Sequence, residues 1–155
     1  MSFPQLKTGL IVDINNLYYA IQRKFGKGRK LMMLDYTKFL EELGMQLIHK
    51  VAYSRQPADS AVGFTTMLLN EGWEVHFGST SFAIAMALRA TEIAPSVGCF
   101  VLGTNFDEAG RILKWMKERG KITRCVACDI PEFFSKFSEC TEITEALLSG
   151  AVKPT

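Results

Sequence analysis

Asp13, Asn15 and Asn16 stand directly behind the apolar run Gly9-Leu10-Ile11-Val12 and form the first cluster on the chain able to do chemistry. A second polar knot, Gly103-Thr104-Asn105-Phe106-Asp107-Glu108, follows a similar run much later. A carboxylate at the end of a buried strand can bind a divalent ion or orient a nucleophilic water, as a metal-dependent phosphodiesterase requires. In open α/β sheets the ligand crevice lies beyond the carboxyl ends of the strands, where the strand order reverses. Asp13 is therefore the leading site candidate. It could instead simply cap the following helix, but Asn15 and Asn16 are able to cap as well, which leaves Asp13 for the site.

Asp107 and Glu108 carry two readings. Thr104 with Asp107, or Asn105 with Glu108, has the spacing of a capping box at a helix start. Placement just after a strand instead lets Asp107 face Asp13 across the crevice. The second knot also carries Asn105 where a metal site would want another carboxylate.

The densest positive charge comprises Arg23, Lys24, Lys27, Arg29 and Lys30, interrupted by Gly26 and Gly28. It reads either as a phosphate-gripping loop near the candidate crevice or as a solvated, mobile turn. Arg55 joins these candidate nucleic-acid contacts because it follows the second strand at its carboxyl end. Arg89, Lys114, Lys117, Arg119, Lys121 and Arg124 read as surface charge.

Cys125-Val126-Ala127-Cys128 has the redox spacing but sits in a strand pattern. Redox pairs open a helix, whose N-terminus stabilises the thiolate, so a structural role is the reading here. His49 and His76 are the only histidines, and zinc has no partner pattern.

The elements that must position these residues follow from apolar periodicity. Strands are expected at Gly9–Val12, Lys50–Tyr53, Trp73–Phe77, Gly98–Leu102 and Ile122–Ala127. Helices are expected from Asn16 to about Phe25, from Asp35 as N-cap to about His49, over Pro57–Glu71 ending at Gly72, over Ser81–Ile93, and over Asn105–Arg119 ending at Gly120. A short helix follows from Pro131 to about Phe137. The fourth helix is apolar nearly all round and is expected to pack on several sides. Alternating strands and helices predict a doubly wound α/β fold: a mainly parallel five-stranded sheet with helices on both faces, Rossmann-like. One domain is expected over residues 1–150, with 151–155 expected as a flexible tail.

Composition sets the outer limits. The 155 residues are 48% hydrophobic and 22% charged, ordinary for a globular domain. A net charge of +2 does not by itself indicate nucleic acid. No signal peptide or membrane segment is expected, and four scattered cysteines suit a reducing, cytoplasmic setting.

With these residues in place, Leu10-Ile11-Val12-Asp13-Ile14-Asn15-Asn16-Leu17-Tyr18 resembles the opening hallmark of the NYN domain, a branch of the PIN-like nucleases. The stretch from Phe100 to Asp107 resembles its second hallmark, and Phe64–Val75 is similar to its helix–glycine–aromatic–strand junction. The resemblance implies a PIN-like fold and a carboxylate cluster holding one or two divalent ions for RNA cleavage. It assigns catalytic roles to Asp13, Asn16 and Asp107, with Asp13 and Asp107 as metal ligands. It also exposes losses. Asn105 replaces an aspartate, Ser81 stands where the fourth helix would open with one, and only Glu92, later on that helix, is available to compensate. Mg²⁺ or Mn²⁺ would then be held weakly, and a two-metal mechanism is out of reach. The expectation is a domain that binds RNA or a protein partner with degenerate nuclease chemistry. The alternatives are an active divalent-metal endoribonuclease using Asp13, Asp107 and Glu108 or Glu92, and a module that assembles through its apolar surface.

Overall fold

The computed structural model describes residues 6–55, 62–78 and 82–150. The main sheet has six strands, one more than expected: β1 (Leu6–Asp13), β3 (Met45–Ser54), β4 (Glu74–Phe77), β5 (Cys99–Gly103), β6 (Ile122–Ala127) and β7 (Glu139–Glu142). Their order is β4-β3-β1-β5-β6-β7, and every pairing is parallel. A two-residue strand β2 (Lys30–Leu31) pairs antiparallel with β8 (Leu148–Ser149) as a separate ribbon.

Among the described residues five α-helices connect the strands: α1 (Ile14–Phe25), α2 (Met33–Glu42), α3 (Val62–Asn70), α4 (Ala83–Ile93) and α5 (Gly110–Glu118). The chain builds outward from β1 to β3 and β4, then returns to β5 and proceeds the other way. Right-handed crossovers therefore put α1, α2 and α3 on one face and α4 and α5 on the other. Two glycines of the central strands let the flanking helices pack close against the sheet. A Cβ on Gly9 would meet Ile93 Cδ1 of α4 at 2.6 Å, and one on Gly103 would meet Tyr36 Oη of α2 at 2.8 Å. Tyr36 is fully buried there and donates to the Val126 carbonyl at 2.7 Å. The fold is a Rossmann-like doubly wound sandwich, with its strand-order reversal between β1 and β5.

Several boundaries differ from expectation. The second helix stops at Glu42, because Gly44 turns the chain at φ +93° and Met45–His49 belongs to β3. Leu43 and Leu47 fit a helical period, but the glycine breaks it. Met32, not Asp35, occupies the N-cap of α2; Asp35 lies in the first turn. Helix α1 opens at Ile14, two residues early, because Asp13 caps it. The stretch from Asp107 to Ala109 is a 3-10 turn ahead of α5, and Glu132–Lys136 is likewise 3-10. Strand β7, Glu-Cys-Thr-Glu, is too polar to show an apolar run. The expected start of the third helix and the 151–155 tail fall outside the described residues.

Helix α4 also departs from expectation. It buries Met86, Ala90 and Ile93 but leaves Ile84 76% and Leu88 61% exposed.

Candidate functional site

The sequence Asp13-Ile14-Asn15-Asn16 turns β1 into α1 at the carboxyl edge of the sheet, and each polar side chain takes a different partner. Asp13 Oδ1 accepts from the Asn16 amide at 3.1 Å and caps α1. Capping is thus Asp13's task, against the expectation that the asparagines would relieve it. Asn15 Oδ1 accepts from the Arg55 amide at 2.6 Å and from Ser54 Oγ at 3.3 Å, which fastens the end of β3.

Asn16 reaches the other way. Its Oδ1 accepts from Thr104 Oγ1 at 2.8 Å and from the Asn105 amide at 3.0 Å, while its Nδ2 donates to Asn105 Oδ1 at 2.9 Å. Asn105 Nδ2 donates in turn to the Cys128 carbonyl at 2.8 Å, just past β6. The three asparagines thus lace the carboxyl ends of β3, β1, β5 and β6 together. Both halves of the Asn105 amide are used. An aspartate there would keep the acceptor and lose the donor. The capping-box reading of the second knot does not hold either, since Phe106 precedes the 3-10 turn and makes no side-chain cap. Thr104 and Asn105 are committed to the lacing.

Above this belt lies a crevice of about 440 Å³. Asp13, Asn15, Asn16, Arg55 and Glu108 supply its polar lining, and Tyr19, Phe82 and Phe106 its aromatic lining. Asp13 is only 2% exposed. Burial raises its carboxyl pKa, and the Asn16 amide, the Arg55 charge and the Asn15 amide only partly counter this. Arg55 also lies 5.9 Å from the Phe82 ring centroid.

The remaining acidic candidates part company with Asp13. Although β1 and β5 are neighbours, Asp107 is exposed and does not line the crevice; Glu108 does. Glu92 pairs with Arg89 at 3.7 Å near the other end of α4 and does not line the crevice. Ser81 lies outside the described residues. Among the described residues no three His, Cys, Asp or Glu side chains gather into a group able to hold a metal ion. Among the described residues the crevice supplies two carboxylates, one already capping a helix, beside an arginine that competes for the same charge. This donor set does not fit a resident metal.

The basic cluster is dispersed among other tasks. Arg29 is buried and donates to the carbonyls of Gly150 at 2.9 Å and Glu145 at 3.3 Å, fixing the last segment beside the β2–β8 ribbon. Both terminal nitrogens are thereby committed to backbone carbonyls, and Arg29 does not line the crevice. Lys24 pairs with Glu142 at 3.3 Å and Asp129 at 3.6 Å, and the hydrogen bond to Glu142 raises its pKa. Arg23 lies over the Tyr19 ring, 5.0 Å from its centroid. Lys27 and Lys30 are exposed, and of the nucleic-acid candidates only Arg55 lines the crevice.

Cys125 is fully buried and donates to the Thr104 carbonyl at 3.5 Å; burial pushes its thiol pKa up, as it does that of Cys128. Neither is a ready thiolate. All four cysteines are free.

The aromatic lining is not apparent from sequence. Tyr19, Phe82 and Phe106 lie in stretches that read as core or knot, and only the edge geometry brings them together. The adjacency of Phe106 to Asn105 is the one available signal.

No family model matches the chain, and no curated protein matches it. Among solved structures, the chain is similar to a protein of unknown function from Vibrio parahaemolyticus RIMD 2210633, at 16% identity and a TM-score of 0.83. The likeness covers 96% of this chain and 99% of the other. At that identity it speaks for the fold alone. No helix among the described residues is long and apolar enough to cross a membrane.

Proposed function

We propose that this is an NYN/PIN-like domain that binds single-stranded RNA in the crevice at the β1–β5 reversal, with degenerate nuclease chemistry. The observation that carries this reading is the crevice lining itself: Arg55 and three aromatic side chains around one buried carboxylate. Single-strand binders combine cations that track phosphates with aromatic faces on which bases stack. Arg55 supplies the phosphate contact, and Tyr19, 65% exposed, the most accessible stacking face. A divalent ion would be held weakly and would rely on substrate phosphates, because Asp13 and Glu108 are the only acids there among the described residues. The setting we read as cytoplasmic, from the four unpaired thiols.

The test is anisotropy of a labelled oligoribonucleotide across a salt series. Binding should weaken with salt, and Arg55→Ala should weaken it further and reduce the salt slope by about one. Absence of binding at low salt, or binding indifferent to Arg55→Ala, would sink the proposal. Cleavage that stops with EDTA and with Asp13→Asn would promote the endoribonuclease reading instead.

A further inference from the structure

The first six residues of helix α4, Ala83 to Leu88, are all apolar, yet their outer ridge, Ile84 and Leu88, lies open to water. A helix of that composition belongs in an interior, and an exposed apolar ridge marks a face that something else covers. Beside the ridge runs a mainly apolar groove of about 420 Å³ between α4 and α5. Ala83 and Ala87 line it from α4, with Ile84 of the ridge forming part of its wall, and Ile112 and Trp115 line it from α5. Glu108 and Arg111, of opposite sign, lie on it too.

We propose that this face joins two copies of the chain about a two-fold axis, with Ile84 and Leu88 of each copy entering the groove of the other. A two-fold interface must be complementary to itself, so one patch has to carry both the projection and its receptacle. Here both occur side by side. Ile84 and Leu88 are four residues apart and form one ridge. The alanines offer no bulk to hold an incoming ridge away, and helices meet most closely where such side chains lie at the contact.

Charge points to the same occupant. Glu108 and Arg111 balance within the groove lining, so the lining itself carries no net charge to repel its own copy. Nucleic acid and anionic lipid surfaces need an excess of cations, which this groove lacks. The face is short, since the 11 residues of α4 rise about 16 Å, which places the contact at the weak end of interface sizes.

Sedimentation equilibrium on the full chain, over about 5 to 500 µM, reads the mass directly. The parent should pass from monomer to dimer across that range. Leu88→Glu, at an exposed position, should weaken association at least about tenfold with an unchanged circular dichroism spectrum. Arg111→Glu makes the patch uniformly acidic and should weaken association likewise, whereas Glu108→Arg combined with Arg111→Glu swaps the signs, keeps the balance and should restore it. A self-contact alone predicts that rescue, because an unrelated partner would still present its original charges. A parent that stays monomeric throughout, a dimer indifferent to Leu88→Glu, or a charge swap that fails to restore association would overturn the proposal.

Discussion

The ends of β1 and β5 lie side by side at the carboxyl edge and present similar polar sequences, yet the folded chain uses them differently. At β1, Asp13 is buried, Asn15 fastens β3 and Asn16 fastens β5. At β5, Thr104 and Asn105 turn inward to complete the same lacing, while Asp107 and Glu108 stand in an exposed 3-10 turn. A polar cluster after a strand thus combines two populations. Amides and hydroxyls that can both donate and accept serve the sheet edge, and carboxylates, which only accept when ionised, are left to the crevice or to solvent.

The sharpest way to break this contrast is to remove its hub. Asn16→Ala deletes three hydrogen bonds at once and leaves Thr104 Oγ1, the Asn105 amide and Asn105 Oδ1 without their partner. Unmade bonds in a shielded network are more expensive than their average net worth, so the loss should be about 3 kcal/mol. Urea unfolding measures it. The exposed change Asp107→Ala, a short stretch of chain away from the belt, should stay within about 0.5 kcal/mol. Equal effects at the two positions would show that the belt does not hold the edge.

A finer test concerns Asn105, the position where the family resemblance expects an aspartate. Asn105→Asp keeps the acceptor for Asn16 and loses the donor to the Cys128 carbonyl. It should destabilise by about 1–2 kcal/mol, because a shielded carbonyl loses its partner and a carboxylate is placed against it. If the residue is instead a blunted metal ligand, the substitution would confer Mn²⁺ binding, visible by calorimetry, with little loss of stability. The lacing predicts loss of stability without that gain.

These residues also show how far sequence can be followed. Periodicity locates the five apolar parallel strands because each is a buried run flanked by turn residues, and strand alternation with helices suffices for the doubly wound class. It misses β7 and the β2–β8 ribbon, whose short, polar strands owe their existence to neighbours rather than to their own pattern. It extends α2 into β3 because Leu43 and Leu47 suit both periods until Gly44 breaks the chain. For the site, position after a strand is enough to place Asp13. The basic run misleads at Arg29, because density of charge in sequence says nothing about which side chain will be buried against carbonyls. Tyr19, Phe82 and Phe106 come from three separate segments, and only tertiary structure makes them one lining.

The smallest expected effect bears most directly on why position 13 is an aspartate at all. Asparagine caps helices about as well as aspartate, so a residue kept only to cap α1 gains nothing from a carboxyl group here. Burial raises the Asp13 pKa above its ordinary value of 3.8, despite the Asn16 amide, the Arg55 charge and the Asn15 amide. The folded chain therefore holds this proton more tightly than the unfolded chain does. Asp13's contribution to stability is fully present below the ordinary value and is lost as pH rises through the raised one. The amide introduced by Asp13→Asn has nothing to titrate. The stability of that variant relative to the parent should accordingly improve from acid towards neutral pH, read from urea midpoints of the two chains in matched buffers. If the variant instead loses ground to the parent as pH rises, the two amides and Arg55 outweigh burial. Asp13 would then stabilise the edge as its asparagine neighbours do, and the contrast between the amides of the belt and the acid of the crevice would collapse.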